Sequence, residues 1–239
     1  MDGIEFWKGI ALIEGDTHFT KWVKEHGSLL HDVSTHIALN HFIKDGDTVL
    51  DVGAHIGTMS AWFSNKVGFD GTVRSFEPNP KAFYCLRHNV GGMKNVILHN
   101  LGVGEKKGQM SLAVNIQNNG ASHLRKGTGT PVITIDSLNI QHVDFVKIDC
   151  EGMDYAVLLG MQKTIEKCRP IIMVEIVESH LKRNGNNFEQ VKSFFNTFGY
   201  AIRNLYPSHP MVGVQFDIVA IPNEKLNDYG ENNQTESKS

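Results

Sequence analysis

Cysteine is scarce in this chain, three in 239 residues, and no apolar run approaches the length of a membrane span. Cys85, Cys150 and Cys168 are odd in number and lack metal-type spacing. That argues against a redox or metal role and reads as reduced thiols in a reducing compartment. The first residues, Met1-Asp2-Gly3-Ile4-Glu5, are acidic and lead into no apolar signal segment, so a cytoplasmic location is expected. A large excess of charge of one sign is missing as well. A formal net charge of −3 argues against a broad nucleic-acid footprint or a basic membrane surface, and no nucleic-acid partner is expected. Twelve histidines raise the question of a metal, but no His-Glu-x-x-His or Cys/His cluster is present. His31, His36 and His41 fall five apart, about 140° per step on a helix, and cannot line one face. No metal site is predicted.

What is present begins with Thr48 to Gly57, Thr-Val-Leu-Asp-Val-Gly-Ala-His-Ile-Gly. Val49, Leu50 and Val52 make a short apolar run bounded by Gly46 and Gly53, a buried strand. Met59, Trp62, Phe63 and Val67 then recur on one helical face. Strand, glycine turn and helix form the first unit of a doubly wound α/β sheet, whose ligands sit at the carboxyl ends of the strands.

Alternation of strand and helix continues along the chain. Gly71 to Glu77 is a second strand ending in an acid, and Asn79 before Pro80 caps a helix with Ala82, Phe83, Leu86 and Val90 buried. A third strand, Val96 to Asn100, precedes the turn Leu101-Gly102-Val103-Gly104. Residues 105–136 change character and predict an antiparallel excursion or loop over the active face, with Asn115 to Gly129 polar and glycine-rich. Val143 to Asp149 is a strand and Met153 to Lys167 a helix; Pro170 to Val177 reads as a central parallel strand. Phe188 to Phe198 is a helix stopped by Gly199. Tyr200 to Leu205 and Val214 to Ile221, joined by a connection too short for a helix, should pair antiparallel. Before all this, Phe6, Trp7, Ile10 and Ile13 are spaced for a helical stripe, as are Trp22 and Val23, which predicts a helical extension over residues 1–45. From Pro222 the chain is polar, and residues 223–239 read as a disordered tail.

The ligand follows from what the first turn lacks. A dinucleotide site needs Gly-x-Gly-x-x-Gly so that amides approach a pyrophosphate, whereas Gly53 and Gly57 enclose Ala54, His55 and Ile56, and no Walker lysine is present. Phosphate is therefore a poor candidate. Glu77 follows Asp51 by 26 positions (77 minus 51), where a carboxylate can accept both hydroxyls of a ribose. A ribose, an adenine and a cationic amino-acid end without phosphate describe S-adenosylmethionine. Gly53 would let the chain lie against the methionine moiety, Asp51 and Asp149 would put negative charge around it, and Gly102 and Val103 would flank the adenine.

Four motifs now stand in order: Val49-Leu-Asp51-Val-Gly53-Ala-His-Ile-Gly57, Phe76-Glu77-Pro78-Asn79-Pro80, Thr134-Ile-Asp136-Ser-Leu138 and Lys147-Ile-Asp149-Cys-Glu151-Gly152. Together they resemble the FkbM family of S-adenosylmethionine-dependent methyltransferases over roughly residues 46–221. The resemblance implies a Rossmann-like class I methyltransferase, a mostly parallel seven-stranded sheet in the order 3-2-1-4-5-7-6 with an antiparallel last strand. It places the methyltransferase domain at residues 46–222 and implies O-methylation of a hydroxyl on a sugar, glycan or small natural product. The implied donor-site residues are Asp51, Gly53, Ala54, His55, Gly57, Glu77, Pro78, Asn79, Gly102, Val103 and Asp149. His55 stands where the family commonly has asparagine.

The roles stay open. Asp51 could cap the following turn instead of touching a ligand, and Glu77 could be a solvated strand end. Asp136 reads as a turn stabiliser. Glu175, inside an apolar strand, needs a partner. A hydroxyl nucleophile must lose its proton, so Asp149, Glu151 and His180 are the candidate bases. Magnesium between Asp149 and Glu151 would serve the same end, though two acids do not establish a site. Two competing readings remain: a nicotinamide-dependent oxidoreductase, and a non-catalytic module that keeps the cofactor fold. The oligomeric state is unknown from the residues alone.

Overall fold

The computed structural model describes residues 2–29, 33–206, 211 and 215–229. The chain starts with β1 (Ile4–Trp7) and β2 (Ile10–Ile13), an antiparallel hairpin, followed by α1 (Phe19–His26) and α2 (Val33–Leu39). The expected helical stripe over Phe6 to Ile13 is thus a hairpin. Its turn is Lys8-Gly9, both at positive φ (48° and 84°), the two-residue connection whose twist suits a hairpin. Tertiary packing decides the matter. Ala11, Leu12 and Ile13 are buried with Ile56, Ala82 and Cys85, and Asn89 bonds both the N–H and the carbonyl of Ala11.

The regular part follows as β3 (Thr48–Val52), α3 (Thr58–Val67), β4 (Thr72–Phe76), α4 (Pro80–Val90) and β5 (Val96–His99). As read from the sequence, Asn79 caps α4 by accepting from the Lys81 N–H, with Pro80 in its first turn. An excursion comes next: β6 (Gly102–Val103), β7 (Gly108–Ala113) and β8 (His123–Ile133) form a separate three-stranded sheet in the order β6-β8-β7. Two expectations change here. Gly102 and Val103 are strand rather than turn, and the later part of the polar stretch Asn115 to Gly129, from His123 on, is strand β8, accommodated at positive φ by Gly127 and Gly129.

The second half runs β9 (Phe145–Ile148), α5 (Asp154–Leu159), α6 (Gln162–Cys168), β10 (Ile171–Val177), α7 (Glu178–Arg183), α8 (Phe188–Thr197), β11 (Tyr200–Asn204) and β12 (Gln215–Pro222). The single helix expected over 153–167 is two, broken at Gly160. A Cβ there would stand 2.1 Å from the Gly104 carbonyl oxygen, so the break lets two backbones touch. Asp136 accepts from the N–H groups of Lys163 and Thr164 and so starts α6. The supposed tail begins as a 3-10 turn, Asn223–Tyr229, tied down by Arg169 to Glu224 (2.7 and 2.9 Å). The remaining tail residues, 230–239, and most of the connection 206–213 lie outside the described residues.

The central sheet has seven strands in the order β11-β12-β10-β9-β3-β4-β5. The pairs from β10 to β5 are parallel; β12 runs antiparallel to both β10 and β11. Counting only these strands along the chain gives 3-2-1-4-5-7-6. Leu50, Val52, Val146, Ile148, Val174 and Ile176 fill one face and Val49, Phe145, Ile171 and Met173 the other, as burial on both faces of a parallel sheet requires. Among the described residues no helix is long and apolar enough to cross a membrane.

Candidate functional site

The turns after β3, β4, β9 and β10 open onto one cavity of about 560 Å³, within the range of small-molecule sites. The strand ends meet here because the turn after β3 touches the end of β9. Gly53 sits at φ +85°, and a Cβ on it would lie 1.8 Å from the Asp149 carbonyl oxygen, so only glycine fits. Two non-glycine residues on the cavity wall, His55 (φ 50°) and Glu151 (φ 54°), hold the same left-handed backbone. His is among the residues that tolerate that region better than most, so His55 can hold this turn.

The cavity has two ends. At one, Glu77 is 6% exposed; its Oε1 accepts from the Asn79 N–H (2.7 Å) and its Oε2 from the His55 N–H (2.9 Å). Burial pushes the Glu77 carboxyl up to about 7, with those two N–H bonds pulling it back down. Gly53, Ala54, His55, Pro78, Gly102 and Val103 line the same cavity.

At the other end, carboxylate oxygens of Asp149, Glu151 and Glu175 lie within 4.8 Å of one another, an arrangement that could hold a hard cation as well as share protons. The Glu151 Oε2 is 3.0 Å from His180 Nδ1. Burial, then Asp149 and Asp154, raise Glu151 to about 7, while burial and Arg183 lower His180. Glu175 is raised by burial and by Asp149, and accepts from Gln215 Nε2 at 2.6 Å. Burial works to raise Asp149 too, but Lys147, 3.1 Å away, together with Glu175 and His55 keeps the group below its usual value.

Three of the residues read from the sequence do not line the cavity. Asp51 is fully buried, accepting from Ser60 Oγ (2.6 Å) with Lys147 Nζ at 3.7 Å. Cross-strand register sets Lys147 directly beside Asp51, so the lysine comes between that acid and the cavity. Burial raises the Asp51 carboxyl despite Lys147. For Lys147, burial alone would lower the ammonium, but Asp149 and Asp51 drive it well above its usual value. Gly57 (φ +96°) forms the start of α3 against Leu86, and Asn79 is 3% exposed behind Glu77.

Sequence reading passed over three contributors. Lys147, quoted only as part of a motif, also donates to the Gly53 carbonyl (3.1 Å) and so links the β3 and β9 turns. Asp154 accepts from the N–H groups of Cys150 (2.8 Å) and Gly152 (2.9 Å), holding the turn that aims Asp149 and Glu151. An acid just after a glycine at a strand-helix junction is a legible sign of such a turn. The third is the pairing of Asp16 with Asn119 (2.7 Å), 103 residues apart, which no local pattern announces.

A model of the family described as Methyltransferase FkbM domain matches residues 51–202. A comparison with curated proteins found no match. Among solved structures, a candidate rRNA methylase from Clostridium thermocellum superposes with a TM-score of 0.53 at 16% identity, over 79% of this chain and 95% of its own. A methyltransferase FkbM from Methylobacillus flagellatus gives 0.52 at 14% identity over 87% of this chain and 62% of its own. A candidate methyltransferase from Streptococcus mutans in complex with SAH gives 0.50 at 11% identity, over 78% and 94%. These likenesses establish the class I methyltransferase fold.

Proposed function

Because the chain belongs to the FkbM methyltransferase family, we propose that its cavity holds S-adenosylmethionine at the Glu77 end and a hydroxyl-bearing acceptor at the Asp149–Glu151–Glu175 end, and that it catalyses O-methylation. The family match removes the nicotinamide alternative. One observation carries the reading: a glycine-lined end holding the buried Glu77 carboxylate and a carboxylate–histidine end share a single cavity.

The residues present fit the donor. A carboxylate offers about four acceptor sites, and Glu77 spends two on His55 and Asn79. Two remain for the ribose hydroxyls. Gly53 presents bare backbone, and Gly102 and Val103 flank the adenine. Asp51 acts indirectly, by fixing Lys147, which in turn fixes Asp149. The donor supplies a methyl group on a sulfonium, displaced in line.

On the acceptor side, Glu151 with His180 at 3.0 Å forms the base that takes the hydroxyl proton. Positioning supplies the rest; holding the reacting atoms about 3 Å apart is worth roughly 7–11 kcal/mol. The acceptor is a sugar, glycan or small natural product rather than a polyanion. Five acids line the cavity (Glu77, Asp149, Glu151, Glu175 and Asp217), while Lys147 is the only lysine or arginine among the described lining residues, and it is engaged by Asp51 and Asp149. This weighs against extending the rRNA role named for the Clostridium protein. A mass-resolved methyl-transfer screen of hydroxylated glycans and small molecules, with RNA as a parallel arm, tests the proposal. Methylation of RNA alone would sink it.

A further inference from the structure

The donor end of the cavity is roofed by two segments far apart in the chain. His18 and Phe19, at the start of α1, and Asn118 to Ser122, before β8, line it together. Phe19 meets the His55 ring edge-on at 4.7 Å and lies where a Cβ on Gly120 would come to 3.2 Å of its ring. Yet the stretch Gln117-Asn-Asn-Gly is polar, and its ties to the N-terminal segment are hydrogen bonds. Thr17 donates twice to the Gln117 carbonyl (both 2.9 Å), and Asp16 Oδ2 accepts from the Asn119 N–H (2.7 Å).

Those bonds continue inward without a break. Asn119 Oδ1 accepts from Asn79 Nδ2 (2.9 Å), and the Asn79 N–H donates to Glu77 Oε1 (2.7 Å). All four residues, Asp16, Asn119, Asn79 and Glu77, are buried, at 4, 3, 3 and 6% exposure. Buried polar groups joined in series make a stiff unit, since none can let go without losing its partner in a place water does not reach. The other oxygen of Asp16, Oδ1, accepts from the His18 and Thr20 N–H groups and so starts α1.

We propose that Asp16 is the latch of a strap over the donor: residues 16–20 and 117–121 close on the Glu77 end through the Asp16–Asn119 bond, and the donor enters and leaves when that bond opens. Asp16 is thus a positioning residue for donor binding, acting through Asn119 and Asn79. The inference rests on the assignment of the Glu77 end to the donor.

Asp16→Asn separates the two duties of the side chain. Its carbonyl oxygen keeps the His18 and Thr20 bonds, while its NH₂ faces the Asn119 N–H, donor against donor. On the full-length chain, dissociation of S-adenosylhomocysteine followed by stopped-flow fluorescence should quicken at least tenfold in Asp16→Asn, with Kd rising in step. Helix content should match the parent. Hydrogen exchange at 16–20 and 117–121 should slow on ligand addition in the parent only. Asn119→Ala, which leaves the Asp16 bond to the backbone but cuts the link to Asn79, should also raise Kd about tenfold and guards against misfolding of the first variant. A lowered melting temperature with an unchanged dissociation rate from folded protein would reduce Asp16 to a helix cap and overturn the proposal. Failure of the parent itself to bind S-adenosylhomocysteine would remove the donor assignment instead.

Discussion

Replacing Glu77 by glutamine tests the donor site with the least disturbance of shape. Burial outweighs two N–H bonds and pushes the Glu77 carboxyl from its ordinary value of 4.5 up to about 7. The folded state therefore binds the proton more tightly than the unfolded one. This residue's contribution to stability is fully present below about pH 4.5, falls as pH rises to 7 and is flat above. The difference, about 2.5 units at 1.36 kcal/mol each, is about 3 kcal/mol. Glutamine carries no charge and escapes that cost. It accepts from only one of the His55 and Asn79 N–H groups, and leaving the other unpaired costs about 1–3 kcal/mol. At pH 7.5 the two effects nearly cancel, so Glu77→Gln should fold with a melting temperature close to the parent's and lose most of the parent's pH dependence between 5 and 7. Binding has no such compensation. Hydrogen bonds from the ribose to a charged acceptor are worth about 1.5–3 kcal/mol, so the Kd for S-adenosylhomocysteine should rise about 10- to 150-fold. Titration calorimetry at pH 7.5 with a parallel thermal scan reads both. An unaltered Kd in a folded variant would take Glu77 out of the donor site and refute the reasoning.

Other perturbations report on neighbouring parts of the site. Glu151→Gln should leave donor affinity intact and cut methyl transfer by about 10²–10⁴, the usual worth of a general base. At saturating donor, the parent's rate should rise about tenfold per pH unit up to about 7, where Glu151 ionises, and the variant should lack that limb; a limb surviving in the variant would transfer the base role elsewhere. Gly53→Ala should lower the melting temperature by at least about 4 °C, from a left-handed backbone together with a Cβ 1.8 Å from the Asp149 carbonyl. A melting temperature equal to the parent's would mean the β3 and β9 turns do not touch. Lys147→Met strands Asp51 in the core and should cost about 3–5 kcal/mol at pH 7.5. Adding Asp51→Asn should recover part of that loss in thermal denaturation, and no recovery would show that the pair is not coupled.

Local chemistry alone announced much of this protein. A run such as Val49-Leu-Asp-Val-Gly admits one reading, because an apolar stretch too short for a helix and closed by glycine has to be a buried strand. Asn79-Pro80 names its helix start for the same kind of reason, since cap geometry is set within a few residues. The strand-helix alternation and the acids ending successive strands pointed to a ligand at the strand ends, and Glu77 does line the cavity there. Where local patterns were ambiguous, tertiary contact decided. Phe6 to Ile13 satisfies a helical spacing, yet a hairpin buries Ala11, Leu12 and Ile13 together with Ala82 and Cys85 of α4, and tertiary packing overrides the local pattern. Register across the sheet put Lys147 beside Asp51 and turned an expected ligand contact into a buried ion pair. The bond from Asp16 to Asn119 spans 103 positions, and only the folded chain brings them within 2.7 Å. Each turn on the cavity wall, Gly53 to His55, Glu77-Pro78 and Asp149 to Glu151, is thus written in consecutive residues, because a turn is set locally. Their convergence on one cavity, and the contact of residues 16–20 with 117–121, join distant segments whose meeting no short stretch of sequence encodes.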